Sequence, residues 1–502
     1  MRKRIDMGWR LGYVLCSAIV GLILVWTLPP LSGIDESAHF VRAHQISHGN
    51  LLPVAAPLNT RAGTGACLDR SFATDIQIAQ FGKFIGAGPD ESSEPPSTST
   101  PSSPPDFLPF PDLLANERKC GPPNSDRVFL DYSSFSWYAP TTYVPAALGV
   151  EVARVTGVGT LTMSRYARTA QLLAVIALVF LALTRSPKRF RPAFAVIGLL
   201  PGALGVAANV APDAITYALT FVVVATALRN RGTSLRGARL VDAVAWSALL
   251  GLTKPTYWVF ALCFVALAPT LNRPKQSRFD VRRYWPSALP VVVGGAFSAA
   301  WQASQRNRFI CDVRDFGVKV DEQDQVMHMI THPWDFLWQL VISIRDRAPE
   351  WVRSLVGFDD AATGTWPMAV VLLLTIGFVA IGIRTSQVYN RIPELVPYDI
   401  ANTDQDDESP LTPQQRWRMA GVAALAVIML HAGFAVYCSP PKSLFTAFFS
   451  ARFIIAILPV LLIALTPATE SQLNRVLRKF PPALFLVPMC VGFIFVMRHT
   501  VQ

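Results

Sequence analysis

Long apolar stretches alternate with short polar ones along almost the whole chain. A helix needs about 20 mainly apolar residues to cross a hydrocarbon core of about 30 Å. Because a chain in lipid must satisfy its backbone hydrogen bonds internally, each such stretch predicts a helix. The pattern therefore predicts an all-α integral membrane protein with about 11 transmembrane helices. The candidate stretches are Leu11–Leu28, Ala167–Leu183, Ala193–Ala208, Ala214–Leu228, Leu240–Leu252, Tyr257–Leu271, Ser287–Trp301, Trp366–Ile383, Met419–Tyr437, Phe453–Leu465 and Ala483–Val496.

The stretches Leu240–Leu252 and Tyr257–Leu271 are short and flank the pair Lys254-Pro255. The count of 11 helices is therefore uncertain by about two. Leu11–Leu28 lacks a small-residue cleavage site. It therefore resembles a signal anchor more than a removable signal peptide.

The basic residues give a topology signal. The chain carries 45 Lys and Arg against 34 Asp and Glu, a formal net charge of +11. With about 11 helices, every basic cluster in a short loop falls on the side of the N-terminus, as cytoplasmic loops do. We therefore expect a multi-pass protein of the cytoplasmic (inner) membrane with a cytoplasmic N-terminus and no nucleic-acid partner. The clusters span residues 2–10, 185–191, 229–239, 273–283 and 475–479.

This topology divides the chain into three parts. Residues 1–301 form an N-terminal transmembrane core with a large external loop, residues 29–166. Residues 302–365 form a second external loop, and residues 366–502 contain the C-terminal transmembrane helices. Within the first loop, residues 88–111 are rich in Pro, Ser and Thr and predict a disordered insert.

The external loops also contain segments with helical features. Ser32–His48 predicts a short helix that begins with a capping box of Ser32 and Asp35. Asp131–Val155 predicts an amphipathic helix that lies on the membrane, because it is too polar and Pro-rich to cross. Asp321–Arg347 has apolar residues at helical spacing and predicts a pair of interfacial helices interrupted at Pro333.

Four cysteines lie on the external side, where disulfides can persist. Cys67 and Cys120 share the first loop and are a plausible pair, although the sequence does not fix connectivity. Cys311 lies in the second loop, and Cys438 lies at an outer helix end.

The same topology brings five charged residues, distant in sequence, to one membrane face. Charged groups near the hydrocarbon boundary are costly unless they are paired or functional. Carboxylates near two cations suit an anionic lipid-phosphate head group and a proton transfer. The five are Asp35 and Glu36 after the first helix, Asp213 at a helix start, Lys254 in an outer turn and Arg452 at a helix start.

Each candidate has a chemical role. Asp35 could act as a general base on an acceptor hydroxyl, and Glu36 could orient the acceptor or ligate a cation. Lys254 and Arg452 could hold phosphate oxygens and stabilise the charge of a leaving group. Asp213 could orient one of these cations or touch substrate.

Two further residues complete the candidate substrate and phosphate-binding set. His39 lies one helical turn after Asp35, so the two side chains could meet. Arg42 follows on the same short helix. His44 and His48 are better explained as surface or head-group-facing residues.

Structural explanations exist for the same residues. Asp35 could merely complete the capping box, and Asp213 after Pro212 could merely start a helix. Lys254 and Arg452 could snorkel from helix ends. A metal site made of Asp35, Glu36 and His39 alone is weak, because adjacent carboxylates on a helix diverge. The sequence also lacks a Walker motif, a GxGxxG fingerprint, zinc-ligand spacing and a GxSxG elbow.

Several segments in order resemble a family of bacterial multi-pass proteins, domain of unknown function 2142. "PPLSGIDESAHFVRAHQISHGN" is similar to the family's opening, with a Pro-Pro pair, an Asp-Glu pair and a helix of the form H-F-x-R-A-x-Q-I-x-x-G. "YAPTTYVPAALG", "AANVAPDAIT" and "LTKPTYW" match later segments. "FFSARFIIAILP" resembles a Gln-Gly-Arg-Tyr segment of which only Arg452 and the aromatic Phe453 remain.

This resemblance implies a branch of the membrane glycosyltransferases with the C-type fold (GT-C). Those enzymes have a catalytic carboxylate in the first external loop and take sugars from polyprenyl-phosphate carriers. The implied activity is an inverting glycosyl transfer, with Asp35 as base and Glu36 beside it. The implied partners are a polyprenyl-phosphate-linked sugar, an envelope glycan or glycolipid acceptor and membrane lipid. No soluble cofactor is implied, although a divalent cation could assist.

Two other functions fit a multi-pass protein. A transporter or flippase of an envelope glycolipid would need polar residues near the bilayer midplane and broken helices. A non-catalytic scaffold for envelope assembly would tolerate loss of the outer carboxylates. Charges at one outer face favour transfer over transport.

Overall fold

A computed structural model describes residues 2–33, 35–55, 64–86, 120, 126–132, 135–269, 281–305, 322–356, 411–439 and 450–465. It is mostly helical, at 76%. Four of the described helices are long and apolar enough to cross a membrane. A helical membrane protein is therefore confirmed. The predicted stretches Trp366–Ile383 and Ala483–Val496 lie outside the described residues, so the count of about 11 helices stays a prediction.

The described helices are α1 (Arg2–Thr27), α2 (Glu36–Ser47), α3 (Arg70–Gly86), α4 (Val144–Val155), α5 (Thr160–Arg185), α6 (Arg191–Gly198), α7 (Pro201–Ala207), α8 (Pro212–Arg229), α9 (Ala238–Gly251), α10 (Leu262–Ala266), α11 (Val281–Gln305), α12 (Glu322–Thr331), α13 (Pro333–Val356), α14 (Pro413–Cys438) and α15 (Leu458–Leu465). Short 3-10 turns cover Pro140–Thr142, Tyr257–Ala261 and Ala451–Phe453. The strands are β1 (Val54–Ala55), β2 (Thr64–Asp69) and β3 (Arg127–Asp131).

Helix α8 lies at the centre of the bundle. Of its residues, 94% are buried inside the protein, against 28% for the apolar part of α1. A helix that is apolar on every side is stable only when other elements surround it. Helices α5 and α9 pack against α8, and α1 packs against α5. The four candidate spans are Arg10–Thr27 within α1, α5, α8 and α14.

Two predicted spans are divided into shorter helices. Ala193–Ala208 forms α6 and α7, with a break before Pro201. Proline disfavours the helical conformation of the residue before it, and Leu200 is extended with φ −56° and ψ 138°. Tyr257–Leu271 is replaced by a 3-10 turn and the five-residue helix α10.

A small antiparallel sheet, with strand order β1-β2-β3, lies within residues 29–166, the predicted first external loop. The sequence pattern did not predict it, because its strands are short and lack a clear alternation of apolar and polar residues. A disulfide joins Cys67 of β2 to Cys120, with Cα atoms 5.9 Å apart. Cys438, at the end of α14, is also disulfide-bonded.

The predicted loop helices are found with changed bounds. The sequence predicts one helix over Asp131–Val155, but Asp131 ends β3, and among the described residues of this segment the α-helix covers Val144–Val155. Pro140 and the polar residues around it form a 3-10 turn instead. The predicted interruption at Pro333 separates α12 from α13, as expected for proline at a first helical position.

The described residues form two hydrophobic cores. The larger core lies among the candidate spans and includes Phe221 and Phe260. The smaller core joins α2, α4 and the sheet, and includes Phe40 and Tyr143. Asp213 lies between Val210 of the smaller core and Ala214 of the larger one.

Candidate functional site

Four charged residues from separate parts of the chain meet in one place, which we call the charge cluster: Asp35, Asp213, Lys254 and Arg452. Arg452 Nη2 donates to Asp35 Oδ2 at 2.8 Å, and Lys254 Nζ donates to Asp213 Oδ1. Arg452 Nε also lies 3.5 Å from Asp213 Oδ2. The formal charges cancel, so each carboxylate compensates a cation that would otherwise be buried unpaired.

The backbone at Asp35 is left-handed. Its φ is 58° and its ψ is 8°, and Asp35 precedes the first residue of α2 without a side-chain capping hydrogen bond. The predicted capping box of Ser32 and Asp35 is therefore wrong. The carboxylate reaches Arg452 instead. A non-glycine residue in this conformation costs about 1–2 kcal/mol, and such strain concentrates at functional sites.

Asp213 and Lys254 are more deeply buried than Asp35. The exposed fraction of the side chain is 33% for Asp35, 15% for Arg452, 5% for Lys254 and 2% for Asp213. Snorkelling keeps an ammonium in water, so it does not describe Lys254. Asp213 lies in the first turn of α8, where the helix dipole favours a carboxylate. Asp35 is the member of the cluster most accessible to a substrate.

Aromatic rings surround the buried ammonium of Lys254. Its Nζ lies 4.6 Å from the ring centre of Tyr138 and 4.3 Å from that of Phe453. Burial lowers the pKa of Lys254 to about 8, and the charge of Arg452 acts in the same direction while Asp213 opposes it. Cation–π contacts of this kind hold the ammonium in an otherwise apolar setting.

His39 lies beside the cluster and contacts aromatic side chains. Its Nδ1 lies 2.9 Å from the Tyr143 hydroxyl, and its ring centre lies 4.7 Å from that of Phe135. Burial lowers the pKa of His39 well below its usual value, and the charge of Arg452 lowers it further. His39 is therefore neutral near pH 7. The hydrogen-bond partner of Nδ1 is Tyr143, not Asp35.

Glu36 faces away from the cluster and forms a clamp with Arg168 of α5. Arg168 donates from Nε to Glu36 Oε1 at 2.6 Å and from Nη2 to Oε2 at 2.5 Å. Glu36 also accepts from the backbone N–H groups of Gly33 and Val210, at 3.0 and 3.1 Å. Arg168 donates to the carbonyls of Leu28 and Pro29 as well. The pair thus joins the end of α1, the start of α2 and the loop before α8.

Arg42 is buried at a distance from the cluster contacts. Its guanidinium donates to Gln45 Oε1 at 2.6 Å, to the Tyr132 hydroxyl at 3.2 Å and to the Leu51 carbonyl at 2.5 Å. These bonds hold the loop after α2 against the sheet. Arg42 is therefore occupied by structural contacts, and the structure does not bring it to Asp35.

The sequence reasoning overlooked Arg168 and Tyr138. The signal for Arg168 was available, because an arginine inside a predicted apolar span is costly and needs a partner. Its partner could not be named, since Glu36 lies 132 positions away. The signal for Tyr138 was the aromatic and Pro-rich segment "SFSWYAPTTY" in the first external loop.

A partly open pocket adjoins Lys254. Its volume is about 110 Å³, and its walls are mostly aromatic and apolar. It lies between the segment that precedes α4 and the C-terminal end of α14. The lining residues are Trp137, Tyr138, Lys254, Pro255, Thr256, Tyr257, Leu430, Gly433, Phe434, Tyr437, Cys438 and Phe453.

The described residues do not fit the divalent cation that the sequence left open. Within those ranges, no group of three or more His, Cys, Asp or Glu side chains is placed to hold a metal ion. The carboxylates of Asp35 and Asp213 are paired with Arg452 and Lys254 instead.

Comparison with known proteins identifies the family. No curated protein and no solved structure matches the chain. A family model described as "Predicted membrane protein (DUF2142)" matches residues 18–478. The match covers three of the four candidate spans entirely, the second half of Arg10–Thr27, and all four residues of the charge cluster. The chain is therefore a member of the DUF2142 family of predicted membrane proteins.

Proposed function

We propose that the protein is a membrane glycosyltransferase that moves a sugar from a polyprenyl-phosphate donor to a cell-envelope acceptor. The observation that carries the proposal is the charge cluster: a part-exposed carboxylate on a strained backbone, next to a buried lysine and a largely buried arginine. A general base and an anion-binding pair are the two groups that displacement of a phosphate leaving group needs. Asp35 is the catalytic base, and Lys254 and Arg452 bind the phosphate.

The reaction is a single displacement with inversion. The acceptor hydroxyl attacks the anomeric carbon of the sugar, and the Asp35 carboxylate takes the hydroxyl proton. The bond between the anomeric carbon and the phosphate oxygen breaks as the new C–O bond forms. The electron pair of the broken bond passes to polyprenyl phosphate, and the proton leaves Asp35 for water after the product departs.

Both cations retain donors for a phosphate. Lys254 has three N–H donors and uses one on Asp213. Arg452 Nε has no hydrogen-bond partner among the described residues, and neither does Asp213 Oδ2. A phosphate that enters the cluster would accept hydrogen bonds from these N–H groups in place of the carboxylates. Asp213 then positions Lys254 and Arg452, and His39 supports the aromatic wall beside them.

We assign Glu36 a different role from that of Asp35. Its carboxylate makes four hydrogen bonds within the clamp, so it positions Asp35 through the backbone and does not take the acceptor proton. Arg42 also has a structural role, because it holds the loop after α2.

The proposal extends to topology and fold. The cluster lies at the start of α8, and Arg229 ends that helix about 24 Å away at 1.5 Å per residue. Arg185 likewise ends α5, whereas Arg168 lies near its beginning. The positive-inside rule then gives a cytoplasmic N-terminus in the inner membrane and an extracytoplasmic cluster. We propose a GT-C-like arrangement of about 11 helices, with residues 29–166 and 302–365 as external loops.

The test is the substitution Asp35→Asn. Asparagine keeps the shape of the side chain and tolerates the left-handed backbone, but it cannot accept the proton. We expect normal protein abundance, loss of one sugar from an envelope glycan and accumulation of its polyprenyl-linked donor. Asp126→Asn is the control, because Asp126 is exposed and pairs with Arg70 on the surface. Unchanged glycans at normal abundance of the Asp35 variant would refute the proposal.

Transport of an envelope glycolipid is the second candidate, and the discontinuous helices favour it. The break between α6 and α7 and the short segment Tyr257–Ala266 resemble the unwound helices of transporters. Bacteria that carry Asp35→Asn distinguish the two functions. A lost transport step leaves the complete glycolipid on the cytoplasmic leaflet, whereas a lost transfer step leaves a glycan that lacks one sugar.

A further inference from the structure

We infer that the pocket beside Lys254 binds the first isoprenyl unit of a prenyl phosphate, with the phosphate held at Lys254. The inference rests on the proposed function, because it takes the position of the phosphate from it. It adds the site of the hydrocarbon, which the charge cluster alone does not specify.

The size of the pocket suits a short hydrocarbon. Its volume is about 110 Å³. A cavity of about 150 Å³ lined by apolar side chains binds benzene, so the pocket has room for roughly five carbons. It does not have room for a whole polyprenyl tail. The pocket is therefore a site for the segment next to the phosphate.

The chemistry of the pocket suits an amphiphile with an anionic end. Lys254 is the one charged residue among the described residues that line it, and its ammonium lies at the aromatic wall of Tyr138 and Phe453. The rest of the wall includes Leu430 and Phe434 of α14. A sugar ring would leave hydroxyl groups without partners against such a wall, which costs free energy. A branched hydrocarbon has no hydroxyl groups and avoids this cost.

The position of the pocket gives a lipid a continuous path. Leu430, Gly433, Phe434 and Tyr437 lie on the last turns of α14, which is a candidate membrane span. The pocket is open on one side. A lipid whose phosphate lies at Lys254 can place its first unit in the pocket and the remainder of its chain along the apolar surface of the bundle.

The first measurement compares two water-soluble phosphate monoesters with the purified full chain in detergent. Dimethylallyl phosphate carries one isoprenyl unit, and methyl phosphate carries the same charge without it. We expect dimethylallyl phosphate to bind at least about tenfold more tightly by calorimetry, because burial of each CH₂ favours binding. Equal affinities would show a site for free phosphate alone and would overturn the inference. Failure of both compounds to bind would overturn it as well.

The second measurement fills the pocket from α14. A Cβ atom on Gly433 would lie 3.8 Å from Thr256 Cγ2, in ordinary contact, so Gly433→Ala should fold. Gly433→Leu should extend into the pocket, remove the preference for dimethylallyl phosphate and leave methyl phosphate binding unchanged. Gly421→Leu is the matched control on the same helix, because a Cβ there meets nothing within 4 Å.

The outcomes separate this inference from the proposed function. If Gly433→Leu keeps the full preference, the pocket is not the hydrocarbon site. If it fails to fold, Gly433→Ala should still reduce the preference, and an unchanged preference would count against the pocket. If wild type binds dimethylallyl phosphate preferentially while Asp35→Asn leaves glycans unchanged, the pocket stands and glycosyl transfer does not. If wild type shows no preference for dimethylallyl phosphate while Asp35→Asn loses one sugar from a glycan, glycosyl transfer stands and the pocket inference does not.

Discussion

At the scale of single residues, two adjacent carboxylates perform different tasks. Asp35 is part exposed and bonds to Arg452, whereas Glu36 is buried and bonds to Arg168. The left-handed backbone at Asp35 turns the chain just before α2 begins. The side chains of neighbouring residues therefore point to different partners. Sequence alone identified both acids but could not divide their roles, because the division depends on one backbone conformation.

Lys254 gives the first pH-dependent prediction. Its pKa is about 8 because burial disfavours its charged form, and a phosphate monoester is largely dianionic above about pH 6. Methyl phosphate should therefore bind best between these values. Its affinity should fall as pH rises through about 8, by at most about tenfold per pH unit. Calorimetry at several pH values measures this fall.

Lys254→Arg provides the control for that prediction. Arginine stays charged throughout this range, so the variant should lose less affinity above pH 8 than wild type. Wild-type affinity that stays flat through alkaline pH would contradict the assignment. The stability of the unliganded chain should change in the opposite sense. Lys254 in the unfolded chain has a pKa near its ordinary value of 10.5 and binds more protons than folded Lys254 above pH 8, so stability rises from about pH 8 to 10.5.

At the scale of elements, α5 positions the parts of the site that come from other helices. Arg168 holds the end of α1 and, through Glu36, the start of α2. Gln171, one turn further along α5, donates to the Ala211 carbonyl at 2.6 Å. These contacts fix the loop before Asp213. One helix that contributes no residue to the charge cluster thus aligns two of its segments.

The clamp supplies the prediction for this scale. Glu36→Gln leaves the Arg168 guanidinium buried without a compensating charge, and such losses cost about 3–5 kcal/mol. The free energy of unfolding in detergent should fall by that order. Glu151→Gln is the control, because Glu151 pairs with Arg154 on the surface of α4 and should change stability little. Equal stability of wild type and Glu36→Gln would mean that the clamp does not hold these elements.

At the scale of the whole molecule, the site lies at one end of the described bundle and basic residues lie at the other. Arg185 pairs with Asp242 at 2.7 Å at the far end of α5. Arg229 ends α8, and the loop that follows carries Arg231 and Arg236. Helices α2 and α4, which pack with the small sheet, lie at the opposite end. This polarity is the basis for the proposed extracytoplasmic site.

Cysteine labelling tests the polarity of the molecule. Asn50→Cys lies in an exposed position after α2, and Ser234→Cys lies in the exposed loop after α8. A membrane-impermeant maleimide should label Asn50→Cys in intact cells and Ser234→Cys only after permeabilisation. The wild-type chain gives the background, since Cys263 is buried and Cys67 and Cys120 are in a disulfide. Labelling of Ser234→Cys in intact cells would contradict the proposed orientation.

The sequence by itself determined features that depend on local composition. Apolar length predicted α1, α5, α8 and α14, because the run of apolar residues needed to cross a bilayer can be counted in one segment. Counting spans also brought Asp35, Asp213, Lys254 and Arg452 to one face, since alternate helix ends lie on the same side. The break at Pro333 followed from a single residue type.

Tertiary structure alone decided which of these charges pair. Asp35 and Arg452 are 417 positions apart, and Glu36 and Arg168 are 132 apart, so no local pattern relates them. Tertiary packing also determined three other features: the small sheet, the division of two predicted spans into short helices, and the pocket next to α14. The reason is physical: a pair forms where folded helices bring two side chains within hydrogen-bonding distance, and that distance is a property of the assembled bundle.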